Sequence, residues 1–289
     1  MYRFHKTAVA AIFGVTALGL AGVAQAAFIP GTFTVDETQL GLGNNLEGDD
    51  GGVPNSGYIF EADGFGGNYN ELLTVDTDGS FDATAWWRAN VFTLDLATVN
   101  SNVTATSGDD EERAYGLYVI FDSSGTVGAD GFTGDTGEIY FWLDPGRDTT
   151  FAFASNDAAD GVSVTPGTAD ILIGSSTFLR EADGTFDAGQ LDRGSFALLF
   201  DEFVLTAEGS QYFVDPEPFF ELLRVSGQFD TVGSDIVAGT ERQSFTITNS
   251  SANGQFGSME IPEPGIISLF GIGLLGLGLA SRRRKAIES

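Results

Sequence analysis

Cysteine is absent from all 289 residues, and the single histidine, His5, stands near the start. The two lysines, Lys6 and Lys285, also lie in the terminal segments, so nothing between Ala27 and Ile261 is Cys, His or Lys. These absences exclude Ser-His-Asp and Cys-His catalysis, Ser-Lys dyads, Schiff-base chemistry and the usual zinc sites. A lysine-dependent phosphate loop is excluded for the same reason. No disulfide can form, so stability has to come from burial. Two chemistries survive: paired carboxylates, as in glycoside hydrolysis, and oxygen-ligand metals.

Basic charge is scarce too. With residues 1–26 and 262–289 set aside, Lys+Arg falls from 13 to 7 and Asp+Glu from 41 to 39. The central region therefore carries a formal charge of −32, and all its cations are arginine. Phosphate contacts need a basic surface, so no nucleic-acid partner is expected. Such acidity keeps an exported chain soluble while making it repel itself. Divalent cations would relieve that repulsion, and calcium is the one cofactor the residues suggest.

Each end carries a targeting pattern. Arg3, His5 and Lys6 form a basic start, Ala8 to Leu20 an apolar run, and Ala24-Gln25-Ala26 a small-residue cleavage site. This predicts a signal peptide over 1–26, cut after Ala26 to leave Ala27 first. At the other end, Ile266 to Ala280 is a 15-residue apolar run followed by Arg282, Arg283, Arg284 and Lys285. With Pro264, Gly265 and Ser281 it reaches marginal length for a single hydrophobic helix across a bilayer. The cations would hold its end on the cytoplasmic side. Glycines 265, 271, 273, 276 and 278 weaken the helix, which suits temporary rather than lasting residence. Pro262 and Pro264 keep the stretch around Glu263 extended, as a protease recognition site requires.

Pro262-Glu263-Pro264, a short apolar span and an Arg cluster, in that order, resemble the PEP-CTERM sorting signal. The resemblance implies recognition by an exosortase, a membrane cysteine protease, and transient membrane anchoring before processing. Residues 262–285 are assigned to this signal.

Between the ends the pattern is strand, turn, strand. Strand candidates are Phe33–Val35, Tyr58–Glu61, Asn70–Val75, Phe81–Leu94, Tyr115–Phe121, Glu138–Leu143, Thr150–Ala154, Asp170–Leu179, Ser195–Phe200, Phe203–Gly209, Phe219–Phe229 and Arg242–Asn249. Asp50-Gly51, Asp63-Gly64, Asp78-Gly79, Asp130-Gly131, Pro145-Gly146 and Asp183-Gly184 read as turns. No uninterrupted amphipathic helix of useful length appears. About a dozen short strands predict an all-β, antiparallel β-sandwich or jelly-roll-like domain over 27–248. Twenty-two phenylalanines between Ala27 and Ile261 are a sizeable core stock. Residues 249–261, short of large apolar side chains, read as a flexible linker.

Several residues are candidate sites. Asp76, Asp78 and Asp82 surround Gly79 and offer three carboxylates to calcium. The spacing departs from the EF-hand, and a plain Asp-rich hairpin turn explains the same residues. Gly108 to Arg113, "GDDEER", reads as a solvated acidic loop. Trp86 and Trp87 are adjacent, so on a strand they point to opposite faces, one to the core and the other free to stack on a sugar ring. Burial of both in a two-layer fold is the competing reading. Phe219 and Phe220 pose the same choice.

A second resemblance covers most of Phe28 to Phe229. "GSFALLFDEFVLTAEGSQYFVDPEPFFELLRVSGQF" (Gly194 to Phe229), "GNYNELLTV", "WWRANVF", "YGLYVIF" and "GFTGDTGEIYFWLDP" are similar to segments of flocculation-associated PEP-CTERM proteins. That resemblance implies a non-catalytic surface or matrix protein that associates with extracellular polysaccharide and promotes flocculation or biofilm aggregation. It brings no catalytic residues. Two other functions fit the composition: a carbohydrate-active enzyme working through two carboxylates, and a passive structural coat protein.

Overall fold

The computed structural model describes residues 27–40, 42, 58–103, 115–167, 169–187, 190–237 and 240–260, without the side chains of 190–192 and 231–232. Residues Phe28–Met259 form one compact unit. Strand accounts for 70% of the described residues and helix for 4%, which makes the chain all-β. The expected signal peptide and C-terminal hydrophobic helix lie outside the described residues, as do Ala24, Ala26, Pro262, Glu263, Pro264, Arg282, Arg283 and Arg284. Among the described residues no helix is long and apolar enough to cross a membrane.

Eight long strands form the frame. In chain order they are β1 (Gly64–Val75), β2 (Ser80–Leu94), β3 (Gly116–Val127), β4 (Gly131–Asp144), β5 (Phe178–Asp187), β6 (Gln190–Asp201), β7 (Leu222–Ile236) and β8 (Gln243–Met259). Each pairs antiparallel with the next, β5 pairs back to β4, and β8 pairs with β1. The result is a closed, barrel-like, up-and-down sheet rather than the two facing sheets of a sandwich. Closure removes the open edges that a sandwich would have to protect.

The β4–β5 seam explains why closure was hidden. Gly131 pairs with Thr185, Phe132 with Gly184 and Thr133 with Asp183. A Cβ on Gly131 would come within 1.9 Å of the Gly184 carbonyl oxygen, and one on Gly184 within 1.9 Å of the Phe132 ring. Asp130-Gly131 does close the β3–β4 hairpin, where the Gly128 amide donates to the Gly131 carbonyl at 2.7 Å, whereas Asp183-Gly184 looks like a turn but lies inside β5. Both glycines serve as close-approach points between strands. Along the rest of β4, the strand Ile171–Ser176 continues the pairing, from Ile171 opposite Leu143 to Ser176 opposite Ile139.

Strand alternation sorts the side chains. On β2, Phe81, Ala83, Ala85, Trp87 and Ala89 are buried, while Asp82, Trp86 and Arg88 are only partly so. One end of the barrel is plugged by aromatic rings. The strands Phe33–Asp36, Ile59–Ala62 and Phe213–Asp215 form a small sheet, with Phe213 paired to Val35 and Phe33 to Ala62. Phe33, fully buried, contacts the rings of Phe65, Phe92, Phe213, Phe219 and Phe256 at centroid distances of 5.4–6.4 Å. Edge-to-face pairs of this kind contribute about 0.5–1.5 kcal/mol each beyond area burial. Behind the plug, buried Glu37 accepts hydrogen bonds from the Tyr115 hydroxyl (2.8 Å) and the Asn102 amide (2.8 Å). Burial raises its pKa against those hydrogen bonds.

The segment expected to be a linker is different. Residues 249–259 are the second half of β8, pairing with β7 and β1. Their inward residues, Ala252, Gly254 and Phe256, are mostly small, so the alternation with outward Ser, Asn and Gln is weak in sequence.

Candidate functional site

Trp86 and Trp87 do face opposite ways. Trp87 points into the barrel, packs on Phe65 (5.6 Å) and donates its indole N–H to the Ala252 carbonyl at 3.2 Å. Trp86 points outward, where the hairpin of Thr150–Phe153 and Val162–Thr165 lies over it. Its ring stacks on Phe151 (5.8 Å, 11°) and tilts against Phe153 (4.6 Å).

The neighbouring strands extend this into an aromatic strip. Tyr118 on β3 and Trp142 on β4 are directly paired, and their rings lie 6.3 Å apart at 6°. Tyr118 also meets Phe151 edge-on at 4.9 Å, and the Arg88 guanidinium sits 4.8 Å over Phe151. Trp142 is half-buried, and Tyr118 is its only ring contact among the described residues.

Acids lie beside this strip. Asp144, Asp148 and Asp170 place carboxylate oxygens within 4.8 Å of one another. Asp170 Oδ2 accepts from the Tyr118 hydroxyl (2.8 Å) and the Thr149 hydroxyl (2.7 Å), while its Oδ1 is buried without a partner. Asp144, itself buried, accepts from the Thr149 amide at 3.1 Å. Burial raises the Asp144 pKa, and the Asp170 charge adds to that rise. Three converging carboxylates are the hard oxygen donors that calcium takes. Asp144 and Asp148 are four residues apart around Pro145-Gly146, but only the strand register brings Asp170 to them, so this trio was not legible as a motif.

The other acidic candidates are arranged differently. Asp78 lies on the β1–β2 turn, where Gly79 has φ 88°. Its Oδ1 accepts from the Ser80 amide (3.0 Å) and hydroxyl (2.7 Å). Asp76 and Asp82 instead converge on Arg242, at 3.1 and 2.6 Å, and Asp157 joins them at 2.7 Å. The guanidinium occupies the position where these carboxylates meet. Arg242→Ala is expected to cost about 2–3 kcal/mol in urea unfolding, because it leaves three acids facing one another. A loss below about 0.5 kcal/mol would mean the cluster is solvated and carries no structural weight. "GDDEER" lies outside the described residues. Phe219 and Phe220 both belong to the plug end, Phe219 4.9 Å from Phe256 and Phe220 5.6 Å from Phe219.

The fold thus defines an acidic closed β-barrel with an aromatic and carboxylate strip on its outer wall. Residues 260–285 match the model of the PEP-CTERM protein-sorting motif. That motif implies an exported protein sorted to the cell surface by an exosortase. No curated protein and no solved structure is significantly similar to the chain.

Proposed function

We propose that this is a non-catalytic surface or extracellular-matrix protein that associates with extracellular polysaccharide and promotes flocculation. The sorting motif at 260–285 carries the reading, since it directs the barrel to the surface where such polymers lie. The half-buried rings of Trp86, Trp142 and Phe151 in the outer strip, backed by buried Tyr118, supply aromatic area suited to sugar rings. Calcium held at Asp144, Asp148 and Asp170 would bridge the acidic protein to anionic polymer.

Co-sedimentation of the exported protein with polysaccharide from the same cells tests this. Trp142→Ala is expected to weaken association five- to tenfold without lowering the unfolding midpoint by more than a few degrees. Removing calcium with a chelator is expected to weaken it further. No co-sedimentation by the unaltered protein would favour a passive coat, and shortening of the polymer during incubation would favour an enzyme.

A further inference from the structure

An eight-stranded barrel is just wide enough either to be filled by its own side chains or to hold one small ligand. Here the plug end is filled and the remainder is not. A cavity of about 450 Å³ runs along the interior. Room arises because Ala83, Ala85, Gly134, Ala182 and Ala252 occupy inward positions where larger residues would meet across the barrel. At the unplugged end the cavity reaches exposed Gln243 and Gly128, beside half-buried Phe132 and Phe186.

One residue is out of place in this interior. On β1, Tyr69, Glu71, Leu73 and Val75 alternate inward and all line the cavity. Glu71 is opposite Ala85 on β2 and Ile247 on β8, neither of which can partner a carboxyl group. It makes no hydrogen bond or ion pair with any described residue. The neighbouring Tyr69 hydroxyl is already donated to the Gln228 carbonyl at 3.0 Å. Burial alone pushes the Glu71 pKa up to about 7. Glu71 is partly accessible because it borders the cavity. Among the described residues lining that cavity, Tyr69 and Glu71 are the only titratable ones.

A carboxyl group in an apolar chamber is destabilising unless something arrives to meet it. Apolar pockets with one or two placed polar groups are the usual form of small-molecule sites. We propose that the barrel interior binds one small apolar amine, with its hydrocarbon portion in the cavity and its ammonium group on Glu71. This site is separate from the outer strip, so it stands or falls independently of polysaccharide association.

The test is calorimetric titration of the exported protein, as isolated from its host, with decylamine, decan-1-ol and decanoate. Titrations in 0.3 M salt screen the general attraction of cations to an acidic surface. At pH 8 we expect one mole of decylamine per mole of protein, bound at least tenfold tighter than the alcohol, with decanoate weakest. Glu71→Gln should erase the preference for amine over alcohol while leaving alcohol binding intact. Lowering the pH to 5 should do the same, by protonating Glu71. Ala85→Phe, which fills the chamber, should weaken all three ligands at least tenfold, and Ala83→Leu serves if that variant does not fold. Absence of binding, several amine sites indifferent to Ala85→Phe, or equal affinity for amine and alcohol would each overturn the proposal.

Discussion

Phe256→Ala is expected to remove about 3–5 kcal/mol of stability, the range for losing a fully buried phenylalanine. Its ring meets Phe33, Phe65, Phe141, Phe203, Phe213 and Phe219 at 4.9–6.0 Å, so no other side chain can close over the void without moving several rings. Ending the chain after Thr248 should have a larger effect still. It deletes the half of β8 that pairs with Phe65–Tyr69 of β1 and with the start of β7, and thereby reopens the barrel. We expect no cooperative unfolding transition from that variant, whereas a chain ending at Ile261 should unfold normally. Phe178→Ala is the control, at a ring 49% exposed, and should cost less than 1 kcal/mol. A cooperative transition within 1 kcal/mol of the parent for Phe256→Ala would show that the plug is not packed as described.

Glu71→Leu should make the protein more stable, and the gain should depend on pH. Burial raises the Glu71 pKa from 4.5 to about 7, so the folded state favours the neutral acid. Between those values the folded chain holds a proton that the unfolded chain has released, and stability contributed by this residue falls as pH rises. The deficit is complete above about pH 7 and absent below pH 4.5. A shift of this size corresponds to about 3–4 kcal/mol. Urea midpoints measured at pH 4 and pH 8 should therefore show leucine and glutamate nearly equal at the lower pH and leucine clearly ahead at the higher. A difference independent of pH would mean that packing, not ionisation, separates the two.

Much of the fold was legible because strand periodicity is a local signal. Phe81–Leu94 and Ser80–Leu94 are almost the same element, read once from the sequence and once from the structure. Strand lengths were less legible. Gly116–Val127 and Gly131–Asp144 run well past their aromatic portions because their serine-, glycine- and aspartate-rich halves pair as fully as the rest. Closure was not legible at all, since it depends on Gly131 and Gly184 meeting across 53 positions of chain.

The candidate sites divide along the same line. That Trp86 and Trp87 part to opposite faces follows from alternation alone. What lies over Trp86 does not, because Phe151 reaches it from a separate hairpin. Asp76 and Asp82 could be seen in sequence, but Arg242, which joins them from 160 positions beyond Asp82, could not. Glu71 had left a faint sign: it shares the inward phase of Tyr69, Leu73 and Val75 in "YNELLTV" and is the one acid among them.

The central proposal is a surface-sorted protein that promotes flocculation. Its most direct test is floc formation in a strain lacking the gene, complemented with the full chain or with one ending at Ile261, while polysaccharide output is followed in parallel. We expect flocs with the full chain only, at unchanged polysaccharide output. Equal flocculation without either version would contradict the account.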